Sequence, residues 1–196
     1  LNVLYLDVAA VPDFRECAAA RDLVAAPEFQ SRLQALREAP LVDYTGVAAA
    51  KFQALELMYR SFRERHLAQD SDRARAFRAF QAEGGEPLRL HALFEALQQH
   101  FSRNDAAVWG WPAWPEAYRD SRSAAVAAFA RENGERVDYF LYLQWQADLQ
   151  LGQVAEALAV PVLDPPRRRD AHAAAVVEEV HVRGVDPLRA APVELH

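Results

Sequence analysis

The residues best suited to binding chemistry are tryptophans, and three of the four in the chain lie in one short stretch. Trp109, Trp111 and Trp114 belong to Trp109-Gly-Trp-Pro-Ala-Trp-Pro-Glu116, in which proline directly follows the second and third of them. Proline fixes its own φ and drives the preceding residue towards extended backbone, which predicts a stiff, non-helical loop. The three rings would serve either as a packing wedge between helices or as a flat platform for a ring-shaped ligand. They are the candidate substrate-binding residues, and the sequence leaves both interpretations open.

Acidic side chains are the other candidates, because paired carboxyl groups can act as nucleophile and as acid/base. No catalytic residue is assigned among the interior acids, since most occupy helical positions where a charge usually faces solvent. These acids are Glu56, Glu83, Glu95, Glu116, Asp138, Asp148 and Glu156. Gln144 and Asp148 share a helix face, with Gln150 beside it, which predicts a structural hydrogen-bond network.

The remaining reactive residue types give no pattern for a metal or a cofactor. His66, His91 and His100 lack metal-ligand spacing, and Cys17 is the only cysteine. There is no glycine-rich phosphate loop and no serine elbow. We therefore expect no metal and no cofactor, and we interpret Cys17 as buried packing.

Predicted helices must position these side chains. Proline, acidic and glycine signals place helices at about 12–25, 27–40, 43–67, 70–84, 86–97, 121–132 and 135–158. The alternating run from Val3 to Val8 is predicted as a single strand, which would need a partner to satisfy its backbone. The sequence thus predicts a mainly α fold with one orphan N-terminal strand.

The last predicted helix differs from the others in its apolar pattern. Its apolar residues do not keep to one stripe, and a helix that is apolar on several sides is buried on several sides. These residues are Val137, Phe140, Leu141, Trp145, Leu149, Leu151 and Val154. We expect this helix to form the centre of the domain or its seam with another domain, and Tyr118 and Trp145 to be core residues.

Composition and charge narrow the class of protein. The chain has 196 residues, 52% of them hydrophobic, which is typical of one globular domain. A net charge of −6 disfavours a general nucleic-acid or anionic-membrane surface. No apolar run is long enough to span a membrane, and no signal peptide opens the chain. With a single cysteine, these features favour the cytoplasm.

Several stretches in order resemble the 4-alpha-glucanotransferases (amylomaltases, or disproportionating enzymes) of glycoside hydrolase family 77. The resemblance covers roughly residues 3 to 158. The matching stretches are Leu4-Tyr-Leu-Asp-Val8, Ala10-Val-Pro-Asp-Phe14, Leu41-Val-Asp-Tyr-Thr45 with Val47 and Lys51, Trp109 to Glu116 with Tyr118, and Tyr142-Leu-Gln-Trp145 with Gln150-Leu151.

This resemblance implies retaining transfer of α-1,4-glucan segments between maltooligosaccharides, without a cofactor or metal. It also implies that the region is the helical subdomain inserted into a (β/α)₈ barrel, which would be its missing covalent neighbour. The catalytic Asp, Glu and Asp of the family lie in motifs beyond the matching region, and none of these motifs is present. We therefore expect the isolated chain to be inactive.

The family pattern stops near residue 159, where the composition changes. Residues 160–196 are rich in proline and arginine, which predicts a tail read in a shifted frame or a disordered one, with an ordinary divergent tail as the alternative. The predicted organisation is a barrel or edge strand at 1–11, a helical subdomain at 12–159 and this atypical tail. Two alternatives remain: a stand-alone helical carbohydrate-binding module and a helical protein-interaction module.

Overall fold

The computed structural model describes residues 2–103, 105 and 108–158. Within these ranges the chain is helical and contains no strand, which confirms a mainly α fold. The α-helices are α1 Pro12–Glu16, α2 Ala18–Ala25, α3 Pro27–Glu38, α4 Tyr44–Phe62, α5 Asp72–Ser102, α6 Ala124–Glu132 and α7 Gly134–Leu158. A π-helical turn, Arg63–Leu67, extends α4, and 3₁₀ turns lie at Val3–Tyr5, Trp111–Ala113 and Glu116–Tyr118.

The strand predicted for Val3–Val8 was wrong, since its first residues form the 3₁₀ turn Val3–Tyr5. The Tyr5 amide donates to the Asn2 carbonyl at 3.1 Å, and the Leu6 amide donates to that of Val3 at 3.2 Å. No strand lies beside this segment in the described ranges, so local hydrogen bonds satisfy its backbone instead.

Most helix starts are where the sequence predicts them. Asp43, Ser71 and Ser123 cap α4, α5 and α6, each accepting a hydrogen bond from the amide three residues further on. Pro12 and Pro27 occupy the first position of α1 and α3, where no intrahelical amide bond is lost.

Two interior breaks shape the helices further. Cys17, with φ −92° and ψ 96°, divides the single helix predicted over 12–25 into α1 and α2. Gly85 interrupts α5 with φ 55° and ψ −145°, a conformation that favours glycine. This break confirms the helix boundary that Gly84-Gly85 predicts.

The core is built around α7, as its many-sided apolar pattern predicts. Tyr139, Tyr142 and Trp145 are at most 4% exposed. The Tyr142 ring lies 5.1 Å from that of Phe62 on α4, and the Trp145 ring lies 5.4 Å from that of Phe77 on α5. The predicted core position of Trp145 is thus confirmed, and α7 joins α4 and α5 into one aromatic cluster.

Two sequence predictions concern the limits of this helical unit. The tail at 160–196 lies outside the described residues, and the assignment of 12–159 as a subdomain stays a prediction. No helix within the described ranges is both long and apolar enough to traverse a lipid bilayer.

Candidate functional site

The tryptophan stretch lies in the connection between α5 and α6 and is non-helical apart from two 3₁₀ turns. Gly110 has φ 76°, in the region that favours glycine, and turns the chain between Trp109 and Trp111. Pro112 lies inside the first turn, and Pro115 precedes the second. The loop that the prolines predict is therefore present, although it contains two 3₁₀ turns.

A single glutamine on α5, Gln98, fixes this loop. Its side-chain oxygen accepts hydrogen bonds from the Gly110 amide at 2.7 Å and from the Trp114 indole at 3.2 Å. Its side-chain nitrogen donates to the Val108 carbonyl at 3.0 Å. Gln98 is only 8% exposed, so these three bonds also satisfy a buried amide.

The three tryptophans have different surroundings. Trp114 is 3% exposed and packs against Phe94 and Phe101, with ring centroids 5.1 and 5.7 Å away. Trp109 and Trp111 are 81% and 56% exposed. Packing explains Trp114, whereas the indole rings of Trp109 and Trp111 are accessible to a ligand.

Trp111 borders a cleft of about 290 Å³ between the second half of α5 and the loop. A larger cleft of about 640 Å³ lies next to it, between α5 and α6. The two share Leu90, Leu93, Ser121 and Val126, so they form one continuous groove. Volumes of this order are those of small-molecule sites.

The smaller cleft combines an aromatic face with polar donors. Arg119 lines it and is held in place because its Nε donates to the Trp114 carbonyl at 2.8 Å. Ser121 and Trp111 also line this cleft. An indole face bordered by a guanidinium and a hydroxyl can stack on a sugar ring and donate to its hydroxyl oxygens.

The interior acids Glu56, Glu95 and Asp138 interact with neighbouring side chains of the helical unit. Glu56 forms an ion pair with an arginine of α7 at 2.8 Å. Burial raises the pKa of Glu95, with His91 opposing the shift. Burial also raises the pKa of Asp138, which accepts a hydrogen bond from Gln81. Glu95 and Asp138 thus have different neighbours and do not form the close pair that retaining catalysis requires.

The other acids considered in the sequence are exposed: Glu83, Glu116, Asp148 and Glu156. The polar cluster predicted on α7 is also arranged differently from the expectation. Gln144 is buried, Asp148 is exposed, and Gln150 is hydrogen-bonded to the N-terminal segment. Its side chain accepts from the Asp7 amide at 2.9 Å and donates to the Asp7 carbonyl at 2.8 Å, fastening the N-terminal segment to α7.

Lys51, the sole lysine, holds the same segment from α4. Its Nζ donates to the carbonyl oxygens of Leu4 and, at 2.8 Å, Leu6. Burial lowers the pKa of this ammonium, and the charge of Asp7 partly opposes the shift. Lys51 therefore positions the backbone of the N-terminal segment.

A buried polar cluster around Asp13 was not predicted from the sequence. Asp13 is 3% exposed, and its Oδ2 accepts hydrogen bonds from Tyr142 at 2.8 Å and from Arg73 at 2.5 Å. His66 Nε2 lies 3.9 Å from the other carboxylate oxygen. The Arg73 guanidinium lies 4.8 Å from the Trp145 ring centroid, in cation–π geometry. The cluster joins α1, α5 and α7.

Histidines and the cysteine have packing or hydrogen-bonding surroundings. His66 Nδ1 lies 2.9 Å from the Ser71 hydroxyl, and the His100 ring packs edge-on against Phe129 at 5.2 Å. Cys17 is free and buried, as interpreted from the sequence. In the described part of the chain, no three His, Cys, Asp or Glu side chains group in a way that could hold a metal ion.

These contacts define a helical unit with an aromatic surface loop, in which the stretches singled out in the sequence hold the unit together. Asp13 contacts Tyr142, Lys51 contacts Leu4, and Gln150 contacts Asp7. The profile of glycoside hydrolase family 77, 4-alpha-glucanotransferase, matches residues 1–160, and the chain belongs to this family.

Individual relatives agree with the family profile. The chain is similar to the 4-alpha-glucanotransferase of Haemophilus influenzae, with 30% identity over 154 residues, covering 77% of this chain and 22% of the relative. It is 30% identical over 159 residues to the 4-alpha-glucanotransferase of Mycobacterium tuberculosis H37Rv. That alignment covers 77% of this chain and 19% of the relative. It is 28% identical over 156 residues to the 4-alpha-glucanotransferase of Chlamydia caviae, and that alignment covers 79% of this chain and 26% of the relative. The chain thus spans about a fifth to a quarter of the length of these relatives.

Proposed function

We propose that this chain is part of a 4-alpha-glucanotransferase that transfers α-1,4-glucan segments between maltooligosaccharides by a retaining mechanism. The family match over residues 1–160 carries the proposal. Within the enzyme the helical unit contributes a wall of the glucan-binding cleft. Trp111 supplies the main stacking face, and Trp109 supplies a second one nearer to solvent.

Two observations support the role of a wall: the helical unit has an aromatic cleft, and its interior acids Glu95 and Asp138 do not form a close pair. Trp111 lies beside Arg119 and Ser121 in a cleft of about 290 Å³, which suits a neutral ring rich in hydroxyls. The half-buried acids Glu95 and Asp138 have different neighbours, so they do not supply a catalytic pair. The 196-residue chain alone is therefore inactive, and the remainder of the enzyme brings the carboxylates.

A second surface supports the proposal that a further domain is covalently attached to this unit. Leu151 and Val154, near the end of α7, are 53% and 48% exposed, and Tyr5 is 85% exposed. The hydrogen bonds between Gln150 and Asp7 place the N-terminal segment against the same part of α7. We propose that this surface packs against the (β/α)₈ barrel in the whole cytoplasmic enzyme, because exposed apolar patches mark interfaces.

The activity proposal is tested by incubating the 196-residue chain with maltotriose and measuring glucose and longer maltooligosaccharides by chromatography. We expect no transfer above the background without protein. Transfer by the chain alone, lost after substitution of an acid within it, would contradict the assignment of catalysis to the remainder of the enzyme.

The stacking proposal is tested by titrating maltotriose through maltoheptaose into the full chain by calorimetry. Trp111→Ala is expected to weaken binding about fivefold, since an aromatic contact contributes on the order of 1 kcal/mol. Trp109→Ala is expected to weaken it less, because Trp109 does not line the cleft. Tyr5→Ala is the matched control, an exposed aromatic outside the loop.

Equal losses in the Trp111 and Tyr5 variants would contradict the stacking role. Absence of any glucan binding, together with a defined oligomer or protein partner, would favour a protein-interaction module instead.

A further inference from the structure

Arginines converge on the larger cleft from both of its walls. Arg89 belongs to α5, Arg122 to the loop before α6, and Arg131 to the last turn of α6. Glu86 is the one acidic residue among those that line this cleft. The lining therefore carries a net charge of about +2 in a chain whose net charge is −6.

These three arginines are exposed and have no partner in the described ranges, which they share with Arg37 and Arg60; what sets them apart is that they line one cleft. Arg73 and Arg136 are held by carboxylates at 2.5 and 2.8 Å. No ion pair or side-chain hydrogen bond to a described residue involves the guanidinium of Arg89, Arg122 or Arg131. Three guanidiniums with unused donors thus border a single cavity.

The chemistry of this lining matches a phosphate group. Guanidinium groups only donate hydrogen bonds, the Ser121 hydroxyl can donate as well, and phosphate oxygens accept several donors at once. The lining also includes Leu90, Leu93 and Val126, which give the cleft an apolar part beside its charged groups. We propose that the cleft between α5 and α6 binds a phosphate group through Arg89, Arg122 and Arg131.

The phosphate can come from inorganic phosphate or from a sugar phosphate. The groove continues into the smaller cleft, so a sugar attached to the phosphate would extend towards Trp111. The phosphate site rests on the arginines alone and does not depend on the glucan-binding proposal.

The experiment is calorimetric titration of the full 196-residue chain at low ionic strength with inorganic phosphate, glucose 1-phosphate and neutral maltotriose. The double variant Arg122→Gln/Arg131→Gln is expected to weaken phosphate binding at least about tenfold, because a charge-assisted hydrogen bond contributes about one decade in affinity. Circular dichroism checks that each variant keeps its helices.

The matched control is Arg37→Gln/Arg60→Gln, which removes the same charge from two exposed arginines on α3 and α4. It is expected to leave phosphate binding unchanged. Glucose 1-phosphate binding more tightly than phosphate would identify a sugar phosphate as the ligand, and equal affinities would identify free phosphate. Equal losses in both double variants, or no phosphate binding to the unaltered chain, would overturn the proposal.

Finally, maltotriose separates this site from the glucan contact. Trp111→Ala is expected to affect maltotriose and to leave inorganic phosphate unaffected. The arginine double variant is expected to show the reverse. If the unaltered chain binds only one of the two ligands, the proposal for the other ligand is refuted and the remaining proposal stands.

Discussion

At the scale of single residues, the Asp13 carboxylate is the most consequential polar group in the core. It is nearly inaccessible and accepts hydrogen bonds from both Arg73 and Tyr142. Asp13→Asn removes the charge opposite a guanidinium that is itself 25% exposed. We expect a loss of about 3 kcal/mol in the free energy of unfolding, because an unpaired buried charge is costly. Urea denaturation followed by circular dichroism measures this loss.

Two variants calibrate that result. Tyr142→Phe removes one hydrogen bond and leaves the ion pair, so a smaller loss of about 1 kcal/mol is expected. Asp72→Asn breaks the ion pair between Asp72 and Arg75. Because the Asp72 side chain is 96% exposed, little change in the free energy of unfolding is expected. If Asp13→Asn were no more destabilising than Asp72→Asn, the structural role of the cluster would be refuted.

The sequence predicted the loop of the candidate site but not the burial or the contacts of its residues. Proline spacing was enough to predict a stiff loop at 109–116, because proline acts locally. Which tryptophan would be buried depends on Phe94 and Phe101, which α5 brings beneath Trp114. Gln98 was missed, although a glutamine on the buried face of a helix is a signal for a satisfied amide.

At the scale of elements, the packing of α4 on α7 brings three tyrosines together. The Tyr59 ring lies 5.4 Å from that of Tyr139 and 5.3 Å from that of Tyr142. Burial raises the pKa of all three phenols above the usual value near 10, and nearby carboxylates add to the shift. The contact between α4 and α7 should therefore be sensitive to alkaline pH.

The sign of this effect follows from proton linkage. Above about pH 10 the unfolded chain loses the phenolic protons and the folded chain keeps them, so stability falls as pH rises. The expected slope is at most about 1.4 kcal/mol per pH unit for each tyrosine. The lowered pKa of Lys51 acts in the opposite direction, but it is one group against three. Urea denaturation between pH 8 and 11 measures the slope.

Substitution identifies the groups responsible for the alkaline loss. Tyr59→Phe is expected to reduce the slope above pH 10, whereas Tyr5→Phe is expected to leave it unchanged because Tyr5 is 85% exposed. An unaltered slope in Tyr59→Phe would show that other groups cause the loss.

Element prediction succeeded where the signal was local and failed where it depended on the surroundings. Caps such as Asp43 and prolines such as Pro27 act within one helical turn, so the helix starts were predictable. The alternation in Val3–Val8 matches a strand, but no pairing strand lies beside it in the described ranges. Hydrogen bonds from Lys51 on α4 hold that segment instead, and a local pattern does not reveal them.

At the scale of the whole molecule, the burial of α7 changes along its length. Residues 139–146 are buried, whereas Leu151 and Val154 on its last turns are about half exposed. The many-sided apolar pattern predicted either the centre of the domain or its seam with another domain. The structure places the centre at the first part of the helix, and the second part is the proposed seam with the rest of the enzyme.

The proposed seam makes the solution behaviour of the chain testable. In the double variant Leu151→Ser/Val154→Ser, less apolar surface is available for self-association, so we expect a larger monodisperse fraction. Size-exclusion chromatography with light scattering at several protein concentrations measures this fraction. The matched control is Leu41→Ser, because Leu41 is 78% exposed but belongs to the connection before α4.

An equal gain of the monodisperse fraction in the control would mean that exposed apolar residues anywhere cause the association. A monodisperse unaltered chain would refute the seam, because an interface built for a covalent neighbour should associate when that neighbour is missing.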